Sequence, residues 1–505
     1  MLLLSLVAQT ALSLTVDATG PVRFGAPVPE AAIGRGLGVR GAPDIALQWR
    51  VLQPGPDRQT GRRFVEIALG GPGMTKGGQR ALRVTVGGVG PCGEDGGVVC
   101  RRTMAQTERE GIAVTVTEWR FDDGSVDRRV RREVRAGELE VDGETFVVGE
   151  SLTDDTPSLR ARHARVGIAP AEWRRLGVLP PGGTLAADVR AHLRAVVQAL
   201  VPLPGRRGRG DYARSGDVVT NLEFDTTLGF AQLGLACADA DLLARGADCA
   251  RHMLDHDLDS RSGLPFAHGP DHRHNQPEPG HTWIEGLLLT GCVFADDELI
   301  AGALSIARNL ARRPPAPPAS LRADRARDFG WPLLALEASL RFAEDGNVQR
   351  AADALAAEMI RRHDPAMGVI RFGEGVRRTG YEERHWLTGG ILLPALRAYA
   401  ARTGDARGKA IIKAGEATLQ AACLRGREGI PIRGWIGPHG EEGSELRLRG
   451  VAEGFLALEG LADGALPRVL GRRQVREALL GVPRHDDPDL ATTWSMVARC
   501  RWVLR

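Results

Sequence analysis

The stretch LACADADLLARGADCA, residues 235–250, decides the fold. It reads as the end of one helix, a tight Asp-containing turn, and the start of a second helix with Leu and Ala at helical spacing. The same pattern returns in TGCVFADDELIAGALSIA (290–307), LRFAEDGNVQRAADALA (340–356) and YAARTGDARGKAIIKAG (399–415), with a weaker copy in LEGLADGALPRVLG (458–471). A spacing of about 50–60 residues is the pace of helical hairpins joined by longer loops. Six such hairpins closed in a ring make an (α/α)6 toroid, expected over residues 183–505, with a solenoid of hairpins as the alternative.

If the short turns share one rim, the long loops share the other, and each long loop feeds one inner helix. The residues before those helices are polar and aromatic: Asn221, Glu223 and Asp225; the run HGPDHRHNQPEPGHTWIE (268–285); Asp328 and Trp331; Tyr381, Glu382, Glu383, Arg384, His385 and Trp386; Trp435, His439, Glu445 and Arg447; and Trp494. Helix N-termini pointing at that rim add positive potential, which suits an anionic ligand. The arrangement predicts a polar cleft built from separate loops.

Upstream, residues 14–182 read as β. Runs such as ALQWRVLQ, FVEIALG, ALRVTVGG, IAVTVTEWRF, ELEVDGETFVVGE and ARHARVGIA alternate between short Gly, Pro and Asp breaks, the pattern of an antiparallel sandwich. Trp49, Trp119 and Trp173 are expected in its core, and PPGG at 180–183 is a candidate linker. The first 13 residues, MLLLSLVAQTALS, have the outline of a secretory signal peptide with a cut near Ser13, implying a secreted or periplasmic protein. The competing reading of the same residues is a buried first strand. Cys92 and Cys100 flank a Gly-rich turn and could close a small disulfide.

At 505 residues the chain is long enough for two or three domains, and 43% hydrophobic with 26% charged residues is ordinary for globular proteins. A net charge of +3 without a concentrated basic stripe points away from nucleic acid, and beyond the N-terminus no run is long and apolar enough to span a membrane. The clusters GRRGRG (205–210) and RRVRREVR (128–135) are expected to be solvated faces.

Indoles at a cleft rim stack on sugar rings, and His, Asn and Arg bind hydroxyls and carboxylates. The expected ligand is therefore an acidic polysaccharide or oligosaccharide. Two reactions fit. In β-elimination from a uronic acid, Arg384 would grip the carboxylate, His274 or His281 would take the proton, and Tyr381 would protonate the leaving oxygen. Asn221, Asp225, His272, Asn275, Trp283, Glu285, Trp331, His385, Trp386 and Trp435 would bind substrate. In glycoside hydrolysis, a carboxylate pair would come from Glu223, Asp225, Glu285, Asp328 and Glu383. For Asp225 and Glu285 the competing role is stabilisation of a helix start. A non-catalytic glycan-binding protein is the third reading. No cofactor is expected. His272, His274 and His281 with Glu278 or Glu285 lack a zinc spacing, and calcium is the metal that would suit a lyase.

The segments HRHNQPEPGHTWIEGLLL (272–289), GYEERHWLTGGILLPALRAY (380–399) and PVRFGAPVPEAAI (21–33) resemble the exo-rhamnogalacturonan lyase (YetA-like) family of polysaccharide lyases. The resemblance implies a β-sandwich joined to an (α/α)6 toroid, acting on acidic pectic backbone without a nucleotide or redox cofactor. The further β structure that the family carries after the toroid is expected to be missing here.

Overall fold

The computed structural model describes most of residues 10–425, without 41, 43, 54–55, 58–59, 87–98, 180–186, 199, 213, 216–217, 220–221, 223, 268–275, 314–325, 366–367 and 371–386, and adds 434–436 and 442–444. Antiparallel sheets form the N-terminal part and helical hairpins the C-terminal part.

The strands are β1 (Thr10–Asp17), β2 (Val22–Pro29), β3 (Leu37–Arg40), β4 (Ala46–Val51), β5 (Arg62–Gly70), β6 (Gln79–Val86), β7 (Cys100–Arg109), β8 (Ile112–Phe121), β9 (Val126–Val134), β10 (Glu138–Val141), β11 (Glu144–Val147), β12 (Ser151–Asp155) and β13 (Val166–Gly167). They build three sheets, ordered β13-β1-β6-β3, β2-β5-β4 and β12-β9-β8-β7, and a β10-β11 hairpin. The antiparallel β part expected from the sequence is thus present, with a third sheet beside the facing pair. Within that pair the β2-β5-β4 sheet is buried on both sides. Val22, Phe24, Ala26, Trp49, Val65, Ile67 and Leu69 belong to the face whose apolar core includes Leu12, Leu14 and Val84 of the first sheet. Arg23, Gly25, Pro27, Arg50, Arg62, Phe64 and Glu66 occupy the other face, which meets the helices. A strand with polar residues on one face thus need not meet water there.

Trp49, Trp119 and Trp173 are buried, as expected. ARHARVGIA is not a strand throughout: α2 (Pro157–Ala164) takes its first half, and only Val166–Gly167 pairs, with β1. Two short helices, α1 (Glu30–Ile33) and α3 (Pro170–Arg175), also interrupt the β part. Residues 10–13 of the expected signal peptide belong to β1, where Ser13 pairs with Arg83 and its N–H donates to Glu172 at 2.8 Å. A cut near Ser13 would divide this strand. Cys100 is a buried free thiol, pushed up to about 12 chiefly by burial, while Cys92 and the 180–183 linker lie outside the described residues.

After α4 (Ala187–Gln198), four hairpins follow: α5 (Thr226–Cys237) with α6 (Ala240–Asp255), α7 (Glu285–Phe294) with α8 (Asp297–Ala311), α9 (Arg327–Phe342) with α10 (Gly346–Arg361), and α11 (Leu393–Thr403) with α12 (Ala406–Arg425). The first helix of the first three hairpins is buried almost all round, as an inner helix must be, and its partner is amphipathic. The sequence repeat has a chemical meaning at each turn. Asp239, Asp296, Asp345 and Asp405 accept N–H groups at the start of the second helix, at 2.8–3.2 Å. The expected fifth and sixth hairpins lie outside the described residues. No helix among the described residues is long and apolar enough to cross a membrane.

The two parts are joined at the short-turn rim. Gly25 of β2 lies so close to the end of α7 that a Cβ there would sit 1.5 Å from the Cys292 carbonyl oxygen. Beside it, Arg129 bonds both Asp155 and Asp296, each at 2.6 Å, Arg251 bonds Asp296 and Glu298, and Arg50 and Arg102 share Asp297. The cluster RRVRREVR is therefore not wholly a solvated face, because the helices cover Arg129. GRRGRG is likewise engaged: Arg206 and Arg207 tie the β10-β11 hairpin and neighbouring acids Asp154 and Glu150.

Candidate functional site

The starts of three inner helices meet at the rim opposite those short turns. Leu222, Phe224 and Asp225 enter α5 with left-handed backbone, φ 55°, 62° and 57°, a conformation that costs bulky residues energy and is held only by its surroundings. What holds it is visible at Asp225. Its carboxylate accepts from the Leu228 N–H at 3.0 Å and the Gly286 N–H at 3.1 Å, so one side chain caps both α5 and α7. Position 286 has to be glycine, since a Cβ would lie 2.3 Å from Asp225 Oδ1.

The turn Pro279–His281 lies against the start of α9, where a Cβ on Gly280 would be 2.4 Å from Asp328 Oδ1. His281, Trp283, Trp331 and Phe224 form an edge-to-face chain, with ring centroids 5.5, 6.1 and 6.0 Å apart in that order. His281 is buried, and its Nδ1 lies 3.4 Å from Oε2 of Glu278, whose side chain is 45% exposed. This pair connects the interior of the rim with its surface. A π-helical turn, Thr388–Leu392, leads into α11 directly after the segment holding Tyr381 to Trp386, a distortion frequent at functional sites.

Of the residues proposed from sequence, the structure brings together Asp225, His281, Trp283, Glu285 and Trp331. Asn221, His272, His274, Asn275, Tyr381, Arg384, His385 and Trp386 lie outside the described residues. Trp435 lies in a short strand, Gly434–Ile436, paired with Glu442–Ser444. For three residues the geometry differs from a sugar-binding role. Trp283 and Trp331 are only 3% and 2% exposed, each ring packed against its neighbours, so neither offers a free face for stacking. Asp225 is buried, with helix N–H groups on both carboxylate oxygens. Glu285, the first residue of α7, does border open space, a cavity of about 170 Å³ running along the inner helices.

That cavity contains residues the sequence reading passed over: Arg62 and Phe64 from β5, and Gln232 from α5. The alternation within RRFVEIALG could have placed Arg62 and Phe64 on one face, but not on the face meeting the helices. A larger cavity, about 350 Å³, lies at the joint and is lined by the paired ions described above and by Trp119. Among the described residues no group of three or more His, Cys, Asp or Glu could hold a metal ion.

No protein-family model matches the chain, and no curated protein matches it in sequence. Among solved structures it is similar to a polysaccharide lyase, with TM-score 0.44 and 12% identity over 63% of this chain and 97% of that one. It is also similar to a family 76 glycoside hydrolase from a bovine Bacteroides thetaiotaomicron strain, with TM-score 0.43 and 10% identity over 91% of this chain and 92% of that one. Likenesses this distant decide neither the reaction nor the substrate.

Proposed function

We propose that the chain is a carbohydrate-active enzyme of the cell exterior or periplasm, a lyase that cleaves uronic-acid-containing polysaccharide of the pectic, rhamnogalacturonan-like kind. The observation that carries this reading is the His281–Glu278 pair at the rim where the starts of α5, α7 and α9 converge. An imidazole beside a carboxylate, here in proximity without a hydrogen bond to Nδ1, in a site built from several loops is a frame for general-base chemistry. The resemblance of residues 272–289 and 380–399 to exo-rhamnogalacturonan lyases supports the substrate class.

In the proposed reaction Arg384 binds the uronate carboxylate and makes the C5 proton more acidic. His281 or His274 removes that proton, and the electron pair forms the C4–C5 double bond as the C4–O4 bond breaks. Tyr381 gives a proton to O4. Calcium, if used, would assist at the carboxylate. Hydrolysis is the second reading; it has lost one of its carboxylates, because Asp225 is occupied in capping two helices.

The test is to incubate the full chain with a panel of acidic polysaccharides, with calcium or with chelator, and follow the ultraviolet absorbance of unsaturated uronate. A rise that is lost in His281→Ala and Arg384→Ala is the expected result. New reducing ends without that absorbance would overturn elimination in favour of a carboxylate pair drawn from Glu223, Glu285, Asp328 and Glu383. Binding without either product would leave the glycan-binding reading.

A further inference from the structure

The cavity of about 170 Å³ is bordered by the acids Asp57 and Glu285 and the bases Arg62 and Arg341, so its charges are balanced in number but not all paired. On the helix-facing side of the β2-β5-β4 sheet, Arg23 pairs with Glu66, Arg50 pairs with Glu66 and Asp297, and nearby Arg341 is paired with Asp57 at 2.6 Å. The side chain of Arg62, at the start of β5, has no hydrogen bond or ion pair with the described residues, and its Nη1 is buried. Glu172, the acid whose charge acts on Arg62, is already held by Arg175 and by the Ser13 N–H. Burial first, and then the Arg175 guanidinium, lower the Arg62 pKa; Glu172 acts the other way, and no carboxylate among the described residues supplies a bonded counter-charge.

Two other features of the cavity bear on what would supply that charge. Gln232 of α5 borders it with an amide oxygen that is buried and has no partner among the described residues. Phe64, Val178, Leu228 and Leu288 give it apolar walls. A guanidinium short of an anion, an amide suited to a hydroxyl, and walls that accept C–H groups describe one kind of small molecule. We propose that this cavity holds a single sugar-acid unit, its carboxylate on Arg62 and a hydroxyl on Gln232. This deepens the reading above and rests on it for the substrate class, giving the acidic chain a holding point on the scaffold of β5 and α5.

Binding of free galacturonate to the full chain, measured by calorimetry, tests the site, with galactose and hexanoate as comparison ligands. Galacturonate should bind, and Arg62→Gln should weaken it about tenfold or more, the loss expected when a charged hydrogen bond is removed. Arg62→Lys should retain part of the affinity. Because the Arg62 side chain makes no hydrogen bond within the described fold, Arg62→Gln should melt with the wild type. Leu289→Trp, which fills the cavity without altering its charge, should abolish binding. Undiminished binding in both Arg62→Gln and Leu289→Trp would overturn the site, and so would an absence of galacturonate binding. Hexanoate binding as well as galacturonate would overturn the sugar assignment. The polysaccharide assay fails separately: galacturonate held through Arg62 with no polysaccharide cleaved would sink the lyase reading and leave this site standing.

Discussion

At the short-turn rim, Asp239, Asp296, Asp345 and Asp405 each close one hairpin, whereas at the opposite rim Asp225 serves two helices at once. The first rim repeats one local solution, and its regularity gives the sheets a surface to dock on through Arg23, Arg50, Arg102 and Arg129. The second rim repeats nothing. Its left-handed entry into α5, the turn at Pro279–His281 and the π-helical turn before α11 are each different, and each depends on contacts from another hairpin. One end of the helices therefore starts from a repeated local cap to which ion pairs from outside are added, and the other is built from contacts between hairpins. Irregular, over-determined backbone of the second kind is where chemistry is usually placed.

The contrast can be tested most severely at Asp296. Asp296→Asn keeps an acceptor for the α8 cap but removes the charge shared by Arg129 and Arg251. Breaking a buried pair of this kind costs about 3–5 kcal/mol, readable by urea denaturation. Burial alone would raise the Asp296 carboxyl, but Arg129 and Arg251 outweigh it and hold the group well below the usual carboxylate range. Its contribution is thus present above about pH 4 and lost as the pH falls further. The wild type should accordingly lose stability more steeply than the variant on acidification; parallel acid limbs would remove Asp296 from the joint.

A smaller effect is expected at the other rim. Asp225→Ala uncaps two helices together and should cost about 2 kcal/mol, twice an ordinary cap. It should also loosen the Phe224–Trp331–Trp283 packing, seen as a red shift and weakening of Trp fluorescence. A loss no greater than a single cap, with fluorescence unchanged, would mean that the two helix starts are not coupled. Least affected should be Asp345→Ala, which removes the α10 cap in a partly exposed turn, for about 1 kcal/mol in thermal denaturation. A larger loss there would show that the short turns also act collectively.

The same division explains what was legible in the amino-acid order. The Asp residues of the turns were visible because a cap and the helix it starts are adjacent in sequence. β8 follows IAVTVTEWRF residue for residue because alternation is equally local. Arg129 could not be recognised as buried, since its surroundings come from Asp296 and Arg251, more than a hundred residues away. Trp283 and Trp331 looked like rim indoles for a related reason: each packs against the other, Trp331 also against Phe224 and Trp283 against His281, across separate hairpins. The meeting of the α5, α7 and α9 starts on one rim was readable, whereas the direction of each side chain within it was not.

The contact of Gly25 with the last turn of α7 sets a condition on inheritance. A helical half recombined with a different sheet domain would meet a side chain where this one meets none, and the Cys292 carbonyl has no room for it. The two halves are matched parts, and a chimera across residues 180–186 should assemble only if its donor sheet brings a glycine to the same place.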